Sequence, residues 1–138
     1  QHSWMFLASY ERFREYLLQN FHICNMLHLG PRLFEELSGE VVQSTAFVLS
    51  HNYSDIGSNY YRLIDYKDAG EKEKQFAKRS HEYRNVDHSN FSKIPGSPIA
   101  YWVSDKLIDI FLNNTSVKKF GAAKQGIATG DNDRFLRF

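Results

Sequence analysis

A chain of 138 residues with 42% hydrophobic and 24% charged side chains has the composition of one globular domain, or of a domain with a short extension, and not of a disordered segment. Its single cysteine, Cys24, excludes an intramolecular disulfide and a multi-cysteine zinc site, and no apolar run approaches the roughly 20 residues that cross a bilayer. The net charge of +1 hides a division: residues 1–66 sum to −3 and residues 67–138 to +4. The second half is therefore the better match to an anionic partner, and a solvated face of mixed charge fits the same numbers. The start, Gln1-His2-Ser3-Trp4, carries neither an initiator Met nor the basic and apolar stretches of a signal peptide. The expectation is a piece of a longer, cytoplasmic protein.

The first element is a helix over Ser9–Asn20, with Ser9 as cap and Tyr10, Phe13 and Leu17 on one stripe. His22–Leu29 reads as a short strand that stops at Gly30-Pro31. Leu33–Leu37 makes about one helical turn. Val41–Leu49 is the strongest strand pattern, apolar on both sides at its ends, which predicts a strand covered on two faces. His51–Ser58 reads as a loop and Asn59–Tyr66 as a further strand. Lys67 to about Glu82 is polar and rich in helix formers, a solvent-facing helix held by few apolar residues such as Phe76. Residues 83–98 look like a linker ending in Ile94-Pro-Gly-Ser-Pro98. Tyr101-Trp102-Val103 leads to Ser104, a cap for a helix over Asp105–Leu112. The tail from Lys124 reads as a polar glycine loop entering an aromatic strand. This order suggests part of an α/β sheet, too short in alternating units to be a complete doubly wound domain.

Motif tests exclude several chemistries. There is no Gly-x-Gly-x-x-Gly, no phosphate-binding Walker loop and no Gly-x-Ser-x-Gly elbow. The six histidines never fall at His-x-x-x-His spacing. His22 and His28 share one predicted strand, where hydrogen-bonded or exposed histidines fit better than a two-ligand metal site. Cys24 fits a small packed group.

Three stretches together resemble a known family. They are Ser3–Leu18 (Ser-Trp-Met-Phe-Leu-Ala-Ser-Tyr-Glu-Arg-Phe-Arg-Glu-Tyr-Leu-Leu), Leu29–Phe34 with Gly39–Leu49, and Ile94–Ser104 with Gly126–Arg137. In order and spacing they resemble the PglX-type adenine-specific DNA methyltransferases of phage-defence (BREX) and restriction systems. The resemblance implies a Rossmann-like catalytic sheet that uses S-adenosylmethionine. It also implies a methyl acceptor, the exocyclic amine of an adenine flipped out of duplex DNA. That class carries an Asn/Asp-Pro-Pro-Tyr/Phe turn. Here Pro31, Pro95 and Pro98 are never adjacent, so the turn and the glycine-bearing cofactor motif are both absent from this sequence.

The resemblance places residues 1–50 in the closing part of the catalytic domain and 51–138 in a spacer leading to target recognition. Leu29-Gly30 followed by Phe34 matches a strand end after which a Phe stacks on the flipped base. Phe34 between Leu33 and Leu37 also fits a core position. Thr129, Gly130, Asn132 and Arg134 resemble the entry to the DNA-recognition region, with Arg137 adding charge. A loop shaped by Asp and Asn fits that stretch equally. Tyr101 and Trp102 could stack on DNA or enter the core. The implied partners are double-stranded DNA and other defence proteins, with a homodimer through exposed sheet edges as a further expectation. The alternative from another class is a non-catalytic DNA- or protein-interaction module.

Overall fold

The computed structural model describes residues 1–34, 42–51 and 57–122. They form an α/β arrangement around a four-stranded mixed sheet. The strands are β1 (His22–Gly30), β2 (Ser44–Ser50), β3 (Ser58–Arg62) and β4 (Glu82–Val86), and their order across the sheet is β2-β1-β3-β4. β1 runs antiparallel to β2 and parallel to β3, and β3 runs antiparallel to β4. The sheet therefore draws strands from both sides of residue 50.

One face of the sheet carries the core. Ile23 and Met26 of β1 and Tyr60 of β3 pack with Leu17 and Leu18 of helix α1 (Glu11–Asn20). Trp4 and Met5 join from a 3-10 turn, His2–Met5, and Phe91, Ile99 and Tyr101 from the later chain. Backbone bonds tie these layers together: the Ile99 N–H donates to the Met5 carbonyl at 3.0 Å and the His2 N–H to that of Gln43 at 2.8 Å. On the other face, Leu27, Ala46 and Tyr61 share one register level. Helix α2 (Ala69–Ala77) meets that face through Phe76, edge-on to Tyr61 at 4.9 Å. Among the described residues, no helix is long and apolar enough to cross a membrane.

Several sequence expectations change. The buried face of α1 is Arg14, Leu17 and Leu18, whereas Tyr10 and Phe13 are exposed. The Arg14 guanidinium is drawn inward because it donates to the carbonyls of Trp4, Leu7, Gly96 and Ser97. Ser9 lies in a 3-10 turn, Ala8–Tyr10, and Tyr10 takes the N-cap position without a side-chain bond. β2 is not covered on two faces. Among the described residues it is an edge strand, paired with β1, and Phe47, Val48 and Leu49 are exposed.

The linker-like stretch from residue 83 contains β4 and a short helix, α3 (Ser89–Ser92). β3 is shorter than the pattern over Asn59–Tyr66, and Asp65 and Tyr66 lie in a turn. α2 is held by Lys72 more than by Phe76, which is 42% exposed. The buried Lys72 ammonium donates to the Leu63 and Tyr66 carbonyls at 2.8 and 2.9 Å. The Asp68 carboxylate caps α2 by accepting the Glu71 N–H at 2.8 Å. Ser104 precedes helix α4 (Asp105–Asn113) as expected, though its hydroxyl makes no capping bond. The expected turn over Leu33–Leu37 and the aromatic tail fall wholly or partly outside the described residues.

Candidate functional site

The parallel strands β1 and β3 end together. His28 lies opposite Arg62, and the next amide, Leu63 N–H, donates to the His28 carbonyl at 2.9 Å. Ligands of open α/β sheets gather outside the carboxyl ends of parallel strands, because loops diverge there and leave a crevice. Gly30 closes β1 with φ +64, and a Cβ on it would lie 2.8 Å from Ile64 Cγ2, so a side chain is excluded on both conformational and packing grounds. The chain then turns through Pro31 and Arg32, itself at φ 59, to Phe34. Phe34 is 50% exposed. Its ring is thus not a core ring, and it stands on the rim at the carboxyl end of β1.

Beneath this rim lies a cluster of rings. His28 is 2% exposed; its Nε2 bonds His2 Nδ1 at 2.8 Å, and its Nδ1 bonds the Tyr101 hydroxyl at 3.0 Å. A neutral imidazole, with one donor and one acceptor nitrogen, satisfies both bonds. Burial, with the nearby His2 and Arg62, lowers the His28 pKa to about 4. Tyr101 stacks on Tyr60 with centroids 4.7 Å apart. Trp102 stacks on His28 at 6.3 Å and stays 37% exposed, and the Arg62 guanidinium lies over the indole, 5.2 Å from its centroid. Arg62 also pairs through Nε with Asp65 at 3.5 Å.

A second histidine pair sits at the other end of β1. The Ile23 N–H donates to His88 Nε2 at 3.1 Å, and His22 Nε2 is 3.3 Å from the Ser58 hydroxyl. The His22 and His88 rings are 4.7 Å apart. Accepting from a backbone amide requires a neutral His88 with its proton on Nδ1, and burial lowers its pKa to about 4 as well. Among the described residues no group of three or more His, Cys, Asp or Glu is placed to hold a metal ion.

These two histidines, His28 and His88, set a pH dependence. Their folded pKa of about 4 lies below the ordinary 6.5, so between those values the unfolded chain binds more protons and stability rises with pH. The stabilisation is fully present above about pH 6.5 and is lost as pH falls toward 4. Each histidine contributes a slope of up to about 1.4 kcal/mol per pH unit in that window. Urea unfolding midpoints at pH 7 and pH 4.5 check this. The midpoint is expected to fall with pH, and the fall to shrink in His88→Asn.

Of the residues singled out in the sequence, Phe34 reaches the rim and Tyr101 and Trp102 join the ring cluster beneath it. Thr129, Gly130, Asn132, Arg134 and Arg137 lie outside the described residues. Cys24 is half-buried. His22 and His28 are not partners of one another; each is buried with its own set. The His2–His28–Tyr101 chain and the Arg62–Trp102 pair escaped sequence reasoning. They join residues far apart in the chain, and an Arg after two tyrosines or a Trp after a Tyr carries no spacing signal.

No protein-family model matches the chain. Over nearly all its length, however, it is similar to a segment of adenine-specific methyltransferases. One relative is the adenine-specific methyltransferase PglX of Lacticaseibacillus casei (strain Zhang), 39% identical over 145 residues, covering 99% of this chain and 12% of the relative. Another is the adenine-specific methyltransferase BrxX of Escherichia coli O9:H4 (strain HS), 42% identical over 137 residues, covering 98% of this chain and 11% of the relative. The resemblance read from the three sequence stretches is borne out, and the chain spans about one-ninth of the relatives it matches.

Proposed function

We propose that this chain is the part of an adenine-specific DNA methyltransferase that closes the catalytic sheet and presents Phe34 to the flipped target adenine. The complete enzyme transfers a methyl group from S-adenosylmethionine to the exocyclic amine of adenine in duplex DNA, in phage defence or restriction-modification. The observation that carries this reading is the pairing of two facts. Nearly the whole chain is similar to named adenine-specific methyltransferases, and Phe34 stands half-exposed at the carboxyl end of a parallel strand pair.

The described residues do not fit S-adenosylmethionine. Gly30 and Gly57 are the glycines at closely approached backbone. Each is filled from within the chain, Gly30 by Ile64 and Gly57 by Asn85, whose Cα would lie 2.5 Å from an added Cβ. Neither leaves a cradle for a cofactor, and no catalytic step is assigned to these residues. Their part is to receive and orient the base. An aromatic ring stacks on a base whatever its hydrogen-bonding edge, so Phe34 holds the adenine while other parts of the enzyme hold its amine. In this reading residues 1–50 contribute to the Rossmann-like catalytic domain, and the chain after residue 50, whose β3 and β4 complete the same sheet, leads on into target recognition, where Thr129, Gly130, Asn132 and Arg134 meet DNA.

Methyl transfer from labelled S-adenosylmethionine to duplex DNA tests the reading. The complete protein is expected to label adenine and the isolated 138 residues to label nothing. Labelling by the isolated chain, or none by the complete protein on any duplex carrying its modified genomic sites, contradicts it.

A further inference from the structure

Arg62 and Trp102 have no role in the reading above, although Arg62 lies at the same carboxyl end of the β1–β3 pair as Gly30. Arg62 is the register partner of His28, and Ile64, two residues on, fills the space beside Gly30. The β3 end and the Gly30–Phe34 turn are thus contiguous. The Arg62 side chain is 26% exposed, and Trp102, Asp65 and the hydroxyl of Tyr101 fix it. The indole of Trp102 lies under the guanidinium at 5.2 Å, the neutral His28 ring stacks on that indole, and Asp65 pairs with Nε at 3.5 Å. Asp65 is 62% exposed, so the ion pair is a solvent-screened one that contributes little and yields to a stronger anion. A guanidinium has five N–H donors in a planar fork, a geometry that matches the oxygens of a phosphate. The ion pair through Nε and the hydrogen bond to the Tyr101 hydroxyl still leave donors for such a ligand. Nor does His28 compete as a second fixed cation, since a neutral imidazole already meets both of its hydrogen bonds.

We propose that Arg62, braced by Trp102, takes a backbone phosphate of the DNA strand beside the flipped nucleotide. This deepens the function proposed above and rests on it, because the ligand is the strand whose base meets Phe34. A phosphate contact fixes the register of the strand without reading its sequence, so the role of Arg62 is to position the target nucleotide at the rim. Trp102 is a bracing residue: its ring face holds the guanidinium in place.

The test uses the complete methyltransferase and duplex DNA containing its target site. Binding is measured over a range of salt concentrations. Arg62→Gln is expected to weaken binding about equally on specific and unrelated duplexes and to reduce the log–log salt slope by about 1, the release of one phosphate contact. Arg62→Lys, which keeps the charge, is expected to keep the slope. A second measurement leaves the protein unaltered. The phosphates flanking the target adenine are replaced one at a time by neutral methylphosphonates. One of them is expected to weaken the wild-type enzyme and to have no further effect on Arg62→Gln.

If Arg62→Gln binds DNA with the wild-type slope, or if no flanking methylphosphonate weakens the wild-type enzyme, the proposal is overturned. Loss of thermal stability in Arg62→Gln with an unchanged slope likewise reduces the residue to a structural one. If the complete protein binds no DNA at any salt, the methyltransferase reading falls first and takes this proposal with it. If DNA binds and only the slope result fails, that reading stands and the phosphate contact alone is lost.

Discussion

Phe34→Ala in the complete methyltransferase is expected to lower adenine methylation by about 5- to 150-fold, the equivalent of the roughly 1–3 kcal/mol that stacking one base on an aromatic ring contributes. The direction follows from where the ring stands. Phe34 is 50% exposed, so its removal opens no core cavity and costs little folding stability. A loss of activity would then report the ligand, not the fold. Phe34→Tyr or Phe34→Trp keeps a stacking face and is expected to keep most of the activity. Steady-state turnover on a duplex with one target site, together with the melting temperature of each variant, checks both halves. Unchanged turnover in Phe34→Ala removes the stacking role.

Arg14→Met is expected to be the most destabilising single change in the described residues, by about 3–5 kcal/mol. Arg14 is 1% exposed, and its guanidinium donates to four carbonyls: Trp4, Leu7, Gly96 and Ser97, at 2.6–3.2 Å. Those carbonyls belong to the start of the chain, before α1, and to the Pro95–Pro98 loop far beyond it. The charge is neutralised by peptide dipoles in this pocket, with Glu11 and Glu15 as the nearby anions. Met replaces most of the volume but none of the donors, so it leaves four acceptors facing an apolar chain. Arg14→Lys supplies one flexible ammonium with three donors and is expected to recover only part of the loss. Thermal unfolding at pH 7 measures both variants. A shift of Arg14→Met smaller than that of an ordinary exposed Arg→Met change would contradict this account.

Arg14 also shows why the sequence is an incomplete guide here. The helix pattern over Ser9–Asn20 was legible from its spacing, and of its stripe Leu17 is buried, yet Tyr10 and Phe13 are exposed. What turns α1 is a charged residue, two of whose four partners lie more than 80 residues away, and no local period carries that. β1 was legible from its apolar positions and its stop at Gly30-Pro31, although two register irregularities interrupt its alternation. β2 was placed correctly, but apolar residues on both of its faces were read as double burial when the strand is an exposed edge. β4, Glu-Tyr-Arg-Asn-Val, is short and mostly polar, with Asn85 at φ 54 where the strand passes Gly57, so only Tyr83 and Val86 mark it as a core strand and no alternation does.

The candidate site divides in the same way. Phe34 came from family resemblance, since a single Phe between leucines has no pattern of its own. Its exposure needed the turn that Gly30 and Arg32 impose. The Arg62–Trp102 pair needed the parallel register of β1 and β3 and the return of the chain at residues 99–102. Neither is encoded in spacing.

The most direct measurement is a photocrosslink. Duplex DNA carrying a photoreactive adenine analogue at the methylated position is bound to the complete methyltransferase, irradiated and digested, and the attached peptide is identified by mass spectrometry. Attachment to the peptide containing Phe34 is the predicted result. Efficient attachment that falls only on peptides outside this chain's 138 residues would contradict the claim that this rim receives the target base.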